Sequence, residues 1–180
     1  AQSDDLAALN RQAVELYQAG RYAEAIAISQ RALALTERLR GPDHVDVGTA
    51  LNKLAVLYIQ QGRYAEAEPL YMRVLAIKER ALGPEHTEVG TMLYGLAALY
   101  AYLGRYEDAE PLYRRALAVK EKALGPDHSE VGSTLHNLAV LLAMQGCTQE
   151  AEPLYHRVVA IKEKALGPDH TEVGSALYAL

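Results

Sequence analysis

Apolar residues recur along this chain three and four positions apart. From Val45 to Gln60 they are Val47, Leu51, Leu54, Ala55, Leu57 and Tyr58. From Tyr64 to Ala81 they are Ala67, Leu70, Tyr71, Val74, Leu75 and Ile77. That spacing is the one-sided stripe of an amphipathic helix, so both stretches are expected to be helical. Gly62 ends the first stretch and Gly83-Pro84 the second. Glycine enters the left-handed region freely, and proline cannot continue a helix. No segment alternates with the two-residue period of a strand, and no Ser/Gly-rich linker interrupts the pattern.

The same two-helix pattern returns every 42 residues. Gly20, Gly62, Gly104 and Gly146 keep that step, as do Gly41-Pro42, Gly83-Pro84, Gly125-Pro126 and Gly167-Pro168. His44, His86, His128 and His170 keep it too, with Val47, Val89, Val131 and Val173. A helix pair cannot bury its stripe alone, so successive pairs are expected to stack as a solenoid. The predicted fold is all-α, with one array over 6–180. Its units are placed at about 6–50, 51–92, 93–134 and 135–176, with a partial fifth at 177–180 and a short leader at 1–5.

Small residues recur where helices would touch. Ala13, Ala55, Ala97 and Ala139 repeat in the first helix, and Ala25, Ala67, Ala109 and Ala151 in the second. Gly48, Gly90, Gly132 and Gly174 lie early in each first helix. Each costs about 1 kcal/mol relative to alanine, so close contact with the preceding helix is expected there. Asp43, Glu85, Asp127 and Asp169 precede the first helices, with Asp46, Glu88, Glu130 and Glu172 three residues on. This is a capping-box-like spacing, though the adjacent His or Ser/Thr could equally be the cap. Pro69, Pro111 and Pro153 fall inside the second helices and are expected to set curvature.

Composition narrows the function. The chain has no Trp or Phe, 12 Tyr and a formal net charge of −5. A Lys/Arg excess is missing, so a nucleic-acid or anionic-membrane surface is not expected. No apolar run approaches about 18 residues, so no membrane insertion is expected. The single Cys147 excludes an internal disulfide framework and fits a reducing, cytoplasmic setting. The leading Ala1 leaves a processed secreted or periplasmic chain as the other reading.

Leu51-Asn-Lys-Leu-Ala-Val-Leu-Tyr58, Gly62-Arg-Tyr64 and Glu66-Ala67 resemble the tetratricopeptide repeat. The ordinary unit has about 34 residues. The longer step here, with Leu82-Gly-Pro-Glu-His86 and Ala65-Glu-Ala-Glu-Pro-Leu-Tyr71, resembles the repeats of kinesin light chains. The resemblance covers residues 6–180 and implies a right-handed superhelix of antiparallel helix pairs. It further implies a protein or peptide partner held in a concave groove lined by the first helices. Position matching puts in that groove Asn10, Arg11, Val14, Tyr17 and Gln18, then Asn52, Lys53, Val56, Ile59 and Gln60. It adds Tyr94, Ala98, Ala101 and Tyr102, then His136, Asn137, Val140 and Met144. The set mixes amides, Tyr and short apolar groups with two cations and no acid. Amides can bond both groups of an extended backbone, and Arg11 and Lys53 would favour an acidic segment.

Some units depart from the pattern. Unit one has Gln12 for Leu and Ala27 for Pro, as an N-terminal cap would. Unit four has Cys147-Thr148 for Arg-Tyr, which removes a packing tyrosine. Leu177, Tyr178 and Leu180 would cover the end of unit four, with self-association through that end as the alternative function.

The residues that suggest chemistry do not converge. The repeated His are one solenoid step apart, roughly 10 Å, whereas a metal–nitrogen bond is about 2 Å. They are expected to cap or pack, and His136 and His156 to lie on the groove or surface. Cys147 is expected to be an incidental exposed thiol. Arg31, Arg73, Arg115 and Arg157 are expected to form a row of interhelix salt bridges. No catalytic residue, metal ligand or cofactor site is assigned, and the expected role is a non-enzymatic interaction scaffold.

Overall fold

A computed structural model describes residues 2–168, 170 and 171. Asp169 and the expected start of a fifth unit, with Glu172, Val173, Gly174, Leu177, Tyr178 and Leu180, lie outside the described residues. Among the described residues the elements are α1 (Gln2–Gln18), α2 (Tyr22–Arg40), α3 (Val45–Gln60), α4 (Tyr64–Leu82), α5 (Thr87–Tyr102), α6 (Tyr106–Leu124), α7 (Ser129–Met144) and α8 (Thr148–Leu166). They form two compact units, α1–α4 up to Gly83 and α5–α8 from Pro84. In each unit two helix pairs stack. α3 packs on both α2 and α4, and α7 packs on both α6 and α8.

The helix ends follow from their sequences. Gly62 has φ +68°, a conformation costly for any side chain. Its N–H donates to Ile59 O at 2.9 Å, and the Arg63 N–H donates to Tyr58 O at 2.8 Å. This is a Schellman closure, and it satisfies carbonyls that the last turn would otherwise leave bare. The first helices of the later pairs start at histidine. His44, His86 and His128 are extended, and each Nδ1 accepts the backbone N–H two residues on, at 3.1 to 3.2 Å. The cap is therefore the His and not the preceding acid. Those acids turn outward to the second helix of the same junction: Asp43 meets Arg80 at 2.5 Å, Glu85 meets Lys122 at 2.5 Å, and Asp127 pairs with Lys164.

The unit divisions expected at 51, 93 and 135 fall inside α3, α5 and α7. The pairs divide instead at the Gly-Pro connectors, because a repeat period sets the step and not the phase. The alanine columns are sealed at six of their eight positions: Ala25, Ala55, Ala67, Ala97, Ala109 and Ala139 have no exposed surface, Ala151 is 2% exposed and Ala13 is half-buried. In the first unit they sit with Leu16, Ile26, Leu54, Leu57 and Tyr58. In the second, Val131, Leu135, Val158, Val159 and Ile161 form a core cluster.

The early glycines do make close contacts, but with the helix that follows. A Cβ on Gly48 would sit 3.4 Å from Ile77 of α4, and one on Gly132 3.3 Å from Ile161 of α8. On Gly90 it would lie 3.0 Å from Val119 Cγ1 and 3.2 Å from Lys120 Cγ, both of α6. The contact falls within the pair because each first helix crosses its own partner at this point. Gly95, in the same helix as Gly90, has nothing within 4 Å. Gly95→Ala is therefore expected to raise stability by about 1 kcal/mol through helix propensity alone. Gly90→Ala meets a stiff β-branched valine, and a net loss of about 1–2 kcal/mol is expected. Urea unfolding of the two variants measures this difference.

Candidate functional site

The first helices carry the residues assigned to the groove, and each unit gathers part of them around one cleft. In the first unit Asn10, Val14 and Tyr17 of α1 face Asn52, Lys53 and Val56 of α3 across a cleft of about 320 Å³. Ala13, Ala50 and Leu57 complete its sides, and Ser29 and Ala32 of α2 form its floor. Lys53 is the one charged residue on this lining. Arg11, Gln18, Ile59 and Gln60 do not line it. In the second unit Ala98 and Ala101 of α5 face Asn137, Val140 and Met144 of α7 across a cleft of about 260 Å³. Here Tyr106 and Tyr113 come from α6, with Leu141 from α7.

The other assigned residues of the second unit support this cleft or stand beside it. The Tyr94 hydroxyl accepts a hydrogen bond from Asn137 Nδ2 at 2.8 Å. The Tyr94 ring packs edge-on against Tyr113, with centroids 5.8 Å apart. Lys120 is buried beneath, its ammonium 4.6 Å from the Tyr94 ring centre and 3.2 Å from the Glu130 carboxylate. Burial and the neighbouring Tyr94 push the Tyr113 phenol up to about 12, against the Asn137 hydrogen bond, so it stays neutral. His136 packs edge-on against Tyr155 at 6.0 Å. Tyr102 is 71% exposed and Met144 60%, adjacent in register on the outer ends of α5 and α7.

The second helices were absent from the sequence assignment, yet they set the depth of each cleft. Ser29, Tyr71, Tyr113 and Tyr155 occupy one repeat position. In the third and fourth pairs the tyrosine meets the first-helix ring above it, as Tyr94–Tyr113 and His136–Tyr155. In the first pair those two positions are Asn10 and Ser29, too short to fill the same space. The signal was the lone serine in a tyrosine column.

The remaining chemistry is structural. Among the described residues no cluster of His, Cys, Asp or Glu is arranged to hold a metal, and no helix is long and apolar enough to cross a membrane. Arg73 reaches Glu37 at 2.6 Å and donates to Pro42 O at 2.9 Å, and Arg157 reaches Glu121 at 2.5 Å. These are the expected interhelix bridges. His156 is exposed, 3.8 Å from Glu152. Cys147 is exposed at the start of α8. Where Arg63 and Arg105 lie over the rings of Tyr58 and Tyr100 at 4.6 and 4.2 Å, the fourth pair has Cys147 and Leu142. Both partners of that contact are replaced together, and α8 keeps the 19-residue length of α4 and α6.

Capped antiparallel helix pairs with a 42-residue step define a helical repeat protein. The profile of the tetratricopeptide repeat matches residues 4–80, 46–122, 88–152 and 130–180, and the chain belongs to that family. The family is generally a non-enzymatic interaction module. Its solved neighbours include a Podosopora anserina protein of kinesin light chain type with nearly identical repeats. That protein has a TM-score of 0.83 and 26% identity, over 100% of this chain and 85% of the other. BtubC of P. vanneervenii has a TM-score of 0.79 at 24% identity, covering 96% of this chain and 68% of that one. Aspartyl phosphate phosphatase F of Bacillus subtilis has a TM-score of 0.77 at 14% identity, covering 99% and 45%. At those identities the last two share the fold alone. No match came from the curated protein sequences.

His136 gives the site a pH dependence. Burial, and then the nearby Lys162 charge, lowers its pKa from the usual value. The folded state thus binds fewer protons than the unfolded chain just below about pH 6.5. The stability held by the neutral ring is complete above that pH and is lost as pH falls toward the lowered value. Unfolding measured at pH 7.5 and 5.0 should show a smaller acid loss for His136→Asn than for the unchanged protein.

Proposed function

We propose that the chain is a non-enzymatic scaffold that binds an extended peptide segment of a partner protein along its first helices. The support comes from the first-unit cleft: apolar walls over a floor of Ser29 and Ala32, a rim of Asn10 and Asn52, and Lys53 as its one charge. Apolar walls favour a buried side chain, and the amides offer both a donor and an acceptor to the peptide backbone. Val14 is 48% exposed and Tyr17 40%, so two large apolar groups stand ready at the mouth. Lys53 and the neighbouring Arg11 favour an acidic residue in the bound segment. The second-unit cleft offers the same chemistry through Asn137, Val140 and Met144.

Peptides selected from a randomised display library on the immobilised protein test this reading. Ser29→Tyr restores the ring found in the other repeats and closes the first cleft. Burying one large apolar side chain is worth about 1.5–3 kcal/mol, so selected peptides should bind the variant about ten- to a hundredfold more weakly. Its circular dichroism and thermal midpoint should match or exceed those of the parent. Peptides that bind Ser29→Tyr and Lys53→Glu as well as the parent would rule out this cleft as the pocket.

A further inference from the structure

The later helix pairs place an aromatic ring at one register position on the second helix. Tyr113 occupies it in the third pair, where it lines the second-unit cleft, is 2% exposed and meets Tyr94 edge-on at 5.8 Å. Tyr155 occupies it in the fourth pair and meets His136 at 6.0 Å. Ser29 holds the same position in the first pair. It lines the first-unit cleft and is itself only 7% exposed, so the space above it lies at the bottom of the cleft. The residue opposite does not fill that space. Asn10 Nδ2 donates to Leu6 O of its own helix at 3.0 Å, which holds the amide against α1. An apolar space of ring size that does not collapse takes up a free aromatic molecule.

The chemistry around this space narrows the molecule. Val14, Tyr17, Ala32, Val56 and Leu57 offer apolar contact. The cleft volume of about 320 Å³ lies at the lower end of small-molecule sites, about 300–1,000 Å³, so it suits one ring and a short chain rather than a nucleotide or a lipid. Lys53 is the one charged residue on the lining. Lys120, Lys122 and Lys164 each have an acid partner, but Lys53 has none among the described residues. The amide of Asn52, next to it, makes no internal hydrogen bond among the described residues. One ammonium and one open amide match a single carboxylate, and a phosphate would call for more cations.

We propose that the first-unit cleft binds a small aromatic carboxylate. The ring sits over Ser29, in the place of the absent tyrosine, and the carboxylate lies at the mouth on Lys53 and Asn52. This cleft is also the proposed seat of the partner segment, yet the acid binds without one. Failure of peptide binding and failure of acid binding are therefore separate results.

Phenylpropionate is the probe, with phenylpropanol as the same ring and chain without the charge. Titration of the protein followed by methyl and amide NMR should give saturable shifts at Val14, Val56 and Leu57. Lys53→Gln should weaken the acid about two- to fivefold and leave the alcohol unchanged, as expected for one exposed ion pair. Ser29→Tyr should weaken both by about tenfold or more, because the tyrosine ring takes the seat. Lys53 is exposed, so circular dichroism of Lys53→Gln should equal that of the parent, and its result stands whatever the fold of Ser29→Tyr. No saturable binding by the parent up to about 10 mM, well above the Kd of a weak specific site, overturns the proposal. So does a Lys53→Gln variant that keeps the parent's affinity for the acid or loses acid and alcohol alike. Undiminished binding by a folded Ser29→Tyr overturns it too.

Discussion

A helix pair of this composition has more apolar surface than it can cover by itself. α3 must be packed on two sides, against α4 within its pair and α2 before it, and α7 is placed likewise between α8 and α6. Alanine makes this feasible. With Ala55, Ala97 and Ala139 at no exposure, axes approach closely enough for the Leu and Val side chains between them to be buried from both sides. The cost is that every repeat is specified by its neighbour. The chain meets this with a second code, laid over the apolar one, in which exposed cations reach back to the acids of the preceding helix. Such pairs add little stability singly, about 0–1 kcal/mol, but they fix register where alanine columns alone would allow sliding.

The periodic part of this arrangement was legible in the sequence. α3 begins and ends at the residues that the apolar stripe and Gly62 marked, and α4 runs one residue beyond the expected Ala81. The cap was legible only as a choice between neighbours, because an acid and a histidine both precede each first helix. The structure resolves it through geometry: the His Nδ1 can reach the N–H two residues on, while the acid is turned toward a cation one repeat later. Phase was legible only at the connectors. A period is the same wherever counting starts, and only the Gly-Pro connectors carry the information on where a pair ends.

The candidate groove was half legible for a related reason. Spacing on one helix says which residues share a face, so Asn10, Val14 and Tyr17 were found together. It does not say what lies beneath that face. The depth of each cleft is set by a residue on the following helix: serine in the first pair, tyrosine in the later ones. Tyr94, assigned to the groove by its position, is held by Asn137, Tyr113 and the buried Lys120 beside the second cleft, contacts that spacing along one helix does not reveal.

Repeat proteins supply their own controls, since each position is tried four times in nearly the same surroundings. A substitution that travels with another is then informative. Leu142 and Cys147 replace Tyr and Arg together, and the Schellman closure persists, with the Cys147 N–H donating to Leu142 O at 2.8 Å. The backbone hydrogen bonds therefore close this turn, and the ring–guanidinium contact is an addition to them. Ser29 changes alone: Asn52 keeps the amide of Asn10 but lies in a pair that has Tyr71, so the serine is what leaves the space in the first pair. In a core that packs alanine to zero exposure, an unfilled pocket at a register position tuned for a ring is the exception.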